Sequence, residues 1–181
     1  MAFVQDLSEI LEMNKVFSRD ESKAMQKAFE ASEKEQFDDF LLEEGLVEEG
    51  DLLKALSQYY QVPSFDVLGY FFDHNLITKF PRDFLLREAI IPLEVDENIL
   101  SVVVSEPDKD GLESMIREYV SYDIVLMVGL RRDICDAVKE FYDSPPSQIE
   151  EYEDIKEEKQ IEVEVEEIED SGQPVIKEEL E

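Results

Sequence analysis

The sequence has very few of the residues that build metal sites, disulfides or thiol-based active sites. Its 181 residues include one cysteine, one histidine and no tryptophan. Cys135 alone cannot form an internal disulfide, and His74 has no second histidine or paired cysteine beside it with which to hold a metal ion. A catalytic pair would require Cys135 and His74 to meet in the fold, and nothing in the local sequence supports this. We therefore expect no metal site and no catalytic site.

Positive charge is also scarce. The chain has 17 Lys and Arg residues against 47 Asp and Glu residues, a formal net charge of −30 at pH 7. Binding to DNA, RNA or an anionic membrane surface needs clustered basic residues that neutralise phosphates. The only adjacent basic pair, Arg131-Arg132, lies at a predicted helix start, where the helix dipole disfavours it, and this indicates a contact. The composition argues against a nucleic-acid partner and favours a basic protein partner or simple solubility.

Long apolar runs are missing too. No segment approaches the ~20 apolar residues that a membrane-spanning helix needs. The first residues, MAFVQDLSEILEMNK, have neither a basic start nor a long apolar run, so they do not resemble a signal peptide. These features predict a soluble cytoplasmic protein without membrane insertion. Since 43% of the residues are hydrophobic, the composition still allows a buried core.

Acidic residues dominate the C-terminal stretch. Residues 143–181 contain 16 acidic and 3 basic residues, and they begin with the segment Ser144-Pro145-Pro146-Ser147. A segment with so few large apolar side chains cannot offset the entropy lost on ordering. We expect a disordered acidic tail, or linker, over residues 143–181.

The first sixty residues contain a repeat. The segments Phe3–Phe29 and Phe37–Tyr60 share one pattern at an offset of 31 positions, and a period in this range is typical of a helical unit used twice. Ser18 and Glu21 form a capping-box signature at the start of a helix. Gly45 suits a helix that ends on a left-handed residue. Each copy is predicted to be a helix, a short turn and a second helix.

The pattern changes after residue 62. Three segments predict strands, of which the second is apolar enough to be central: Ile90–Val95, Ile99–Val104 and Asp123–Val128. Helices are predicted over 82–89, with Pro81 in the first turn, and over 111–119 and 131–142. The fold class is therefore α+β, with a helical tandem repeat over 1–62, a small α/β sandwich with helices on one face of its sheet over 63–142, and the tail over 143–181.

A further set of residues, spread over residues 3–142, matches a known sequence pattern in order and spacing. The members are Leu41, Leu42, Gly45, Leu46, Val47, Leu52, Ala55, Leu56, Pro81, Ile91, Pro92, Leu93, Leu100, Val102, Val103, Glu106, Pro107, Leu112, Val125, Ile134, Ala137, Val138 and Tyr142. In this order they resemble the N-terminal domain of type II secretion and type IV pilus assembly ATPases, of the MshEN type. The resemblance implies a domain that attaches the ATPase to inner-membrane components. The chain has no Gly-Lys dipeptide and hence no Walker A loop, so we expect no ATP hydrolysis by it.

The resemblance also raises the question of a nucleotide ligand. A subset of these domains binds cyclic di-GMP through two copies of the motif RLGxxLVxxGxI, in which arginine reads the ligand and glycine lets the backbone approach it. The positions that would face the nucleotide here are Leu41, Leu42, Gly45, Leu46, Val47, Leu52 and Leu56.

The polar residues of that motif are replaced in this chain. At the 31-residue offset, Gln5 and Gln36 stand in place of the arginines, Leu7 and Asp38 in place of the leading glycines, and Asn14 in place of the second glycine of the first copy. The family motif continues to a glutamine, and Ala28 and Tyr59 stand in its place in the two copies. The sequence thus predicts a non-catalytic docking domain without a cofactor. The expected partner is a protein of a secretion or pilus machine, either a motor ATPase or an inner-membrane platform component. The domain would be cytoplasmic and reach the inner membrane only through that partner, and cyclic di-GMP sensing is the alternative function.

Overall fold

Eight helices and three strands follow one another in the computed structural model, which describes residues 2–143. The predicted tail lies outside the described residues except for Asp143, which is the last residue of the final helix. The elements are α1 (Ala2–Met13), α2 (Arg19–Glu30), α3 (Phe37–Glu43), α4 (Glu49–Tyr60), α5 (His74–Ile77), α6 (Arg82–Glu88), β1 (Ile90–Asp96), β2 (Ile99–Val104), α7 (Leu112–Arg117), β3 (Asp123–Val128) and α8 (Arg131–Asp143). The α+β prediction is confirmed, with the helical pairs first and the strands after them.

The helical repeat has a period of 30 residues, so the predicted offset of 31 is wrong. The helices α1 and α3 end at residues 13 and 43, and α2 and α4 run over 19–30 and 49–60. Lys15 has φ +62° and Gly45 has φ +64°, so Lys15 and not Asn14 is the counterpart of Gly45. The amide of the residue after each one closes the turn in the same way: Val16 N–H donates to Leu11 O at 3.0 Å, and Leu46 N–H donates to Leu41 O at 2.9 Å.

The correct offset matches residues by burial. At 30 residues the buried Leu7, Leu11 and Phe17 correspond to the buried Phe37, Leu41 and Val47. The offset of 31 had aligned identical residue types, such as Lys23 with Lys54, which are both exposed. Exposed positions accept many residue types, so identity there says little about register, whereas the buried positions fix the packing of each helical pair.

Lys15 therefore occupies a conformation that favours glycine. We expect Lys15→Gly to raise the free energy of unfolding by roughly 0.5–1 kcal/mol, because a left-handed backbone costs a residue with a Cβ about 1 kcal/mol or more and the gain is partly offset by the freer unfolded chain. Urea denaturation measures this. Asn14→Gly is the control: it should lower stability, because the backbone of Asn14 is not left-handed and its side chain donates to Gln58 at 2.9 Å. A stabilising Asn14→Gly would restore the 31-residue alignment.

The capping-box prediction is confirmed at the start of α2. The Ser18 hydroxyl accepts from the Glu21 amide at 3.4 Å, and the Glu21 carboxylate accepts from the Ser18 amide at 2.8 Å. The Ser18 amide and, less strongly, the Ser18 hydroxyl, which donates to Glu21 Oε2 at 2.7 Å, hold the pKa of Glu21 below its ordinary value. The hydroxyl and the carboxylate thus each satisfy one backbone amide at the helix end.

The sheet has the strand order β1-β2-β3, with β1 and β2 antiparallel and β2 and β3 parallel. The central place predicted for the second strand is confirmed. The register of β1 against β2 shifts between Pro92 and Glu94. A helix, α7, connects the two parallel strands, as a crossover connection requires.

Two clusters of buried side chains lie within the compact unit that ends at Tyr142. One includes Leu7, Leu11, Leu41 and Leu56 and fills the space between the four repeat helices. The other includes the sheet residues and the helices α5 to α8. The end of β3 and the turn after it contribute Val128 and Leu130 to the helical cluster, so the sheet and the repeat meet at this turn.

Two local predictions need correction. Pro81 is the residue before α6 rather than a member of its first turn, because its ψ of 136° is extended. The segment around His74, for which the sequence predicts no helix, forms α5, where the Asp73 carboxylate accepts hydrogen bonds from the amides of Asn75 at 2.8 Å and Leu76 at 3.4 Å. Such a short helix has too few residues for a hydrophobic period, and its cap was the only sign of it.

Candidate functional site

The seven predicted nucleotide-facing positions divide into two groups by burial. Four of them are in the core between the repeat helices: Leu41, Val47, Leu52 and Leu56. Leu42 is half-buried, and Gly45 and Leu46 are exposed at the turn after α3. A buried leucine that fills the helical core cannot also contact a ligand unless the helices separate.

The 30-residue register changes which residues stand at the polar positions of the first copy. Asp6 replaces the arginine and Ser8 replaces the leading glycine, while Leu7 keeps the apolar residue between them. Ser8 is buried, and its hydroxyl donates to Val4 O at 2.6 Å within α1. Neither of the two motif positions that require arginine has a basic residue. Both leading-glycine positions have a buried polar side chain, Ser8 and Asp38.

The glutamine position of each copy is aromatic. In the second copy Tyr59 stands there, and its ring lies edge-on to Phe3 at 5.0 Å between centroids. In the first copy the 30-residue register places Phe29 there instead of the predicted Ala28, and its ring is 5.2 Å from Phe37 and 5.5 Å from Phe40. These rings bind helix to helix within the repeat, so the position serves packing in both copies.

Asp38 is the most unusual polar residue of the repeat. Its side chain is buried at the start of α3, and its Oδ1 atom has no hydrogen-bond partner among the described residues. Burial, followed by the neighbouring Asp39 carboxylate, raises the pKa of Asp38 to about 6, while hydrogen bonds from the Asp38 and Asp39 backbone amides and, less strongly, the Arg131 charge oppose the rise. Burial makes the charged form of this carboxyl costly, so near neutral pH it holds its proton more readily than an ordinary aspartate.

The basic pair at the start of α8 makes contacts on two sides. Arg131 Nη2 donates to Glu106 Oε1 at 2.5 Å, which ties α8 to the segment after β2. Arg132 donates to Glu49 in the first turn of α4 and, at 3.0 Å, to Asp133 Oδ1. The contact that the sequence indicated for this pair is confirmed: Arg132 joins α8 to the helical repeat, and Arg131 joins α8 to the segment after β2.

The Cys135 and His74 side chains contact different parts of the fold. The Cys135 thiol is half-buried and lies 3.8 Å from Leu86 O, and burial raises its pKa. The His74 ring packs 5.4 Å from Phe141. Over residues 2–143 no group of three His, Cys, Asp or Glu side chains is arranged to hold a metal ion, and no helix is long and apolar enough to cross a membrane.

The family model of the MshEN domain matches residues 60–148. Residues 60–148 of this chain are therefore similar to the MshEN domain. The match begins at the last residue of α4 and includes all three strands, so the family resemblance predicted from the sequence is confirmed. All seven candidate nucleotide-facing positions lie before residue 60.

Two solved structures share the fold of this chain. One is a structure of MshE with cdg, with a TM-score of 0.60 and 18% identity over 75% of this chain and 98% of that chain. The other is the N-terminal domain of XpsE, with a TM-score of 0.55 and 19% identity over 75% of this chain and 92% of that chain. A comparison with curated proteins finds no significant match. At 75% of this chain, each structural match is longer than the family match to residues 60–148.

Proposed function

We propose that this chain is a non-catalytic docking domain that binds a protein component of a type II secretion or type IV pilus machine. The partner is an inner-membrane platform component or a motor ATPase, and the chain acts in the cytoplasm, reaching the membrane through that partner. Support comes from the match to the MshEN domain and from the fold shared with the N-terminal domain of XpsE. An acidic surface favours a basic face on the partner, because complementary charge speeds association.

The observation that favours docking over nucleotide sensing is the replacement at Asp38. A glycine at the leading position lets a ligand phosphate approach the backbone. Asp38 instead places a buried carboxyl there, next to the half-buried Asp39. A second phosphate-repelling acid, Asp6, stands where the first copy of the motif has arginine. A dianionic ligand would meet carboxylates where the motif supplies donors.

Cyclic di-GMP sensing is the second candidate, because the structure of MshE with cdg matches this chain over 98% of the MshE chain. The helical repeat of this protein consists of two helical pairs, one for each copy of the motif. In its favour, Gly45 keeps its left-handed backbone and the adjacent Leu46 is exposed. Sensing would then depend on backbone and apolar contacts alone, without arginine.

Affinity capture tests the docking proposal. The tagged full chain is cross-linked in native cells, purified from cytoplasm and solubilised membrane, and its cross-linked peptides are identified by mass spectrometry. We expect cross-links from residues 2–143 to one secretion or pilus component, enriched over an equally acidic tagged control. If no such component is enriched from either fraction at equal expression, the docking proposal is contradicted.

A further inference from the structure

The two edges of the three-stranded sheet differ in how they are protected. The β1 edge has Pro92, a register shift after it, and the exposed acidic side chains of Glu94 and Asp96. Proline, irregular pairing and charge are the features with which proteins prevent other strands from pairing at an edge. The β3 edge, with the sequence DIVLMV, has no proline and only one charged residue, at its start.

Hydrogen bonds show which backbone groups of β3 point outward. The Asp123 amide donates to Asn98 O at 2.9 Å, toward β2. The Val128 amide donates to Pro63 O at 2.8 Å, and Val128 O accepts from Phe65 N–H at 2.9 Å, on the opposite side of the strand. Because the backbone amides and carbonyls of successive residues point to alternate sides of a strand, those of the even-numbered residues of β3 point away from β2.

Two residues of β3 therefore present free backbone groups. Residues 63–65 cover only the position of Val128. The outward amides and carbonyls of Ile124 and Leu126 have no partner within the described part of the chain. Backbone groups of this kind form the template on which an added strand pairs.

Apolar and acidic side chains surround this edge. Val125 of β3 and Ile99 of β2 lie on one face of the sheet, and each is 44% exposed. At the start of β3, the Asp123 carboxylate is exposed beside the β1–β2 turn, which carries Asp96 and Glu97. The nearest cation is Arg117, 3.9 Å from Asp123 and shared with Glu113.

We propose that the β3 edge is a docking site for an extended segment of a partner protein in which a short apolar run is flanked by basic residues. Outward groups of Ile124 and Leu126 pair with the segment backbone, its apolar side chains cover Val125 and Ile99, and its basic side chains meet the acidic β1–β2 turn. A second copy is a poorer occupant, because each chain has a net charge of −30. This inference rests on the proposed docking function and names its surface.

An NMR titration of the full chain tests the proposal. The probe is a capped peptide of roughly eight residues, a length that spans one strand, with a central run of valines and lysines at both ends. Binding should shift the amide signals of Ile124 and Leu126 and slow their hydrogen exchange about tenfold, as a new ladder bond does. The same peptide with glutamates in place of the lysines should leave both amides unchanged.

Three variants separate the edge from the rest of the surface. Val125→Lys adds a repelling charge at the edge and should weaken peptide binding about tenfold. Met13→Lys adds the same charge at a residue that is 72% exposed in the helical repeat, and should leave binding unchanged. Ile124→Pro removes an outward amide without removing a bond to β2, and should abolish the protection of Leu126. Circular dichroism checks that each variant is folded.

Three results would overturn the edge proposal: unchanged Ile124 and Leu126 amides, equal binding of the two peptides, or protection of these amides without peptide in a dimer. The capture experiment distinguishes the two proposals. If Val125→Lys captures the same component as the wild type, docking stands and the edge is not its site. If the peptide pairs at the edge but no machine component is captured, the edge stands and the function falls.

Discussion

The Asp38→Asn variant is expected to be more stable than the wild type at about pH 7, by roughly 2–3 kcal/mol. The pKa of Asp38 is raised from 3.8 to about 6 by burial and by Asp39. Each unit of pKa shift corresponds to about 1.4 kcal/mol of difference between the protonation states. An asparagine side chain has the shape of the protonated carboxyl without its ionisation, so the variant avoids the buried charge.

The pH dependence follows from the direction of the shift. The folded state binds the proton of Asp38 more tightly than the unfolded state, so this group stabilises the fold most below about pH 4, and that stabilisation is lost as pH rises through about 6. Asp38→Asn should therefore match the wild type near pH 4 and exceed it increasingly up to about pH 6.5. Urea denaturation at several pH values measures the difference.

Asp51→Asn is the matched control for this prediction. Asp51 lies in the second repeat copy as well, but its side chain is exposed in the first turn of α4. Its effect on unfolding should stay within about 0.5 kcal/mol at both ends of the pH range. An Asp38→Asn variant that is no more stable than the wild type at about pH 7 would show that the carboxylate is stabilised by contacts that this account lacks.

Gly129→Ala is expected to lower the free energy of unfolding by about 1–3 kcal/mol. A Cβ at Gly129 would lie 2.5 Å from Cγ1 of Val103 and 3.2 Å from Cδ1 of Ile134. Val103 is fully buried and branched at Cβ, so its methyl group cannot turn aside without a strained rotamer. Because Gly129 lies between Val128 and Leu130, which belong to the helical core, the strain should affect the join between sheet and repeat.

Gly50→Ala provides the control for steric crowding. No atom lies within 4 Å of a Cβ built at Gly50, which is an exposed residue in the first turn of α4. Alanine there should raise stability by up to about 1 kcal/mol through helix propensity. Thermal unfolding of both variants measures the contrast. If Gly129→Ala proved as harmless as Gly50→Ala, the close packing of Val103 against this turn would be refuted.

The strands were predictable because their signals are local. Short apolar runs bounded by Asp, Asn and Pro residues located β1, β2 and β3 within one residue of their observed bounds. The capping box of Ser18 and the left-handed Gly45 were equally local and are observed. The helix α5 was missed because four residues carry no period.

The repeat offset and the candidate site depend on contacts that are distant in sequence. Alignment of identical residue types predicts a period of 31 residues, whereas Leu11 and Leu41, which are buried at equivalent positions of the two copies, set the period at 30. The loss of arginine was visible in the sequence under either offset. The burial of Asp38 was not, because it depends on packing rather than on neighbours in the chain. The partners of Arg132 could not be predicted either, since Glu49 is 83 residues away.

The measurement that tests the central claim most directly is a calorimetric titration of the full chain with cyclic di-GMP. The repeat buries most of its apolar motif residues in the helical core and has Asp6 and Gln36 where the nucleotide-binding motif has arginines. We expect no heat of binding up to roughly 100 µM ligand, which is weaker than about −5.5 kcal/mol. Binding in the micromolar range or tighter that Leu46→Asp abolishes, while exposed Met13→Asp does not, would contradict the account and make the chain a nucleotide sensor.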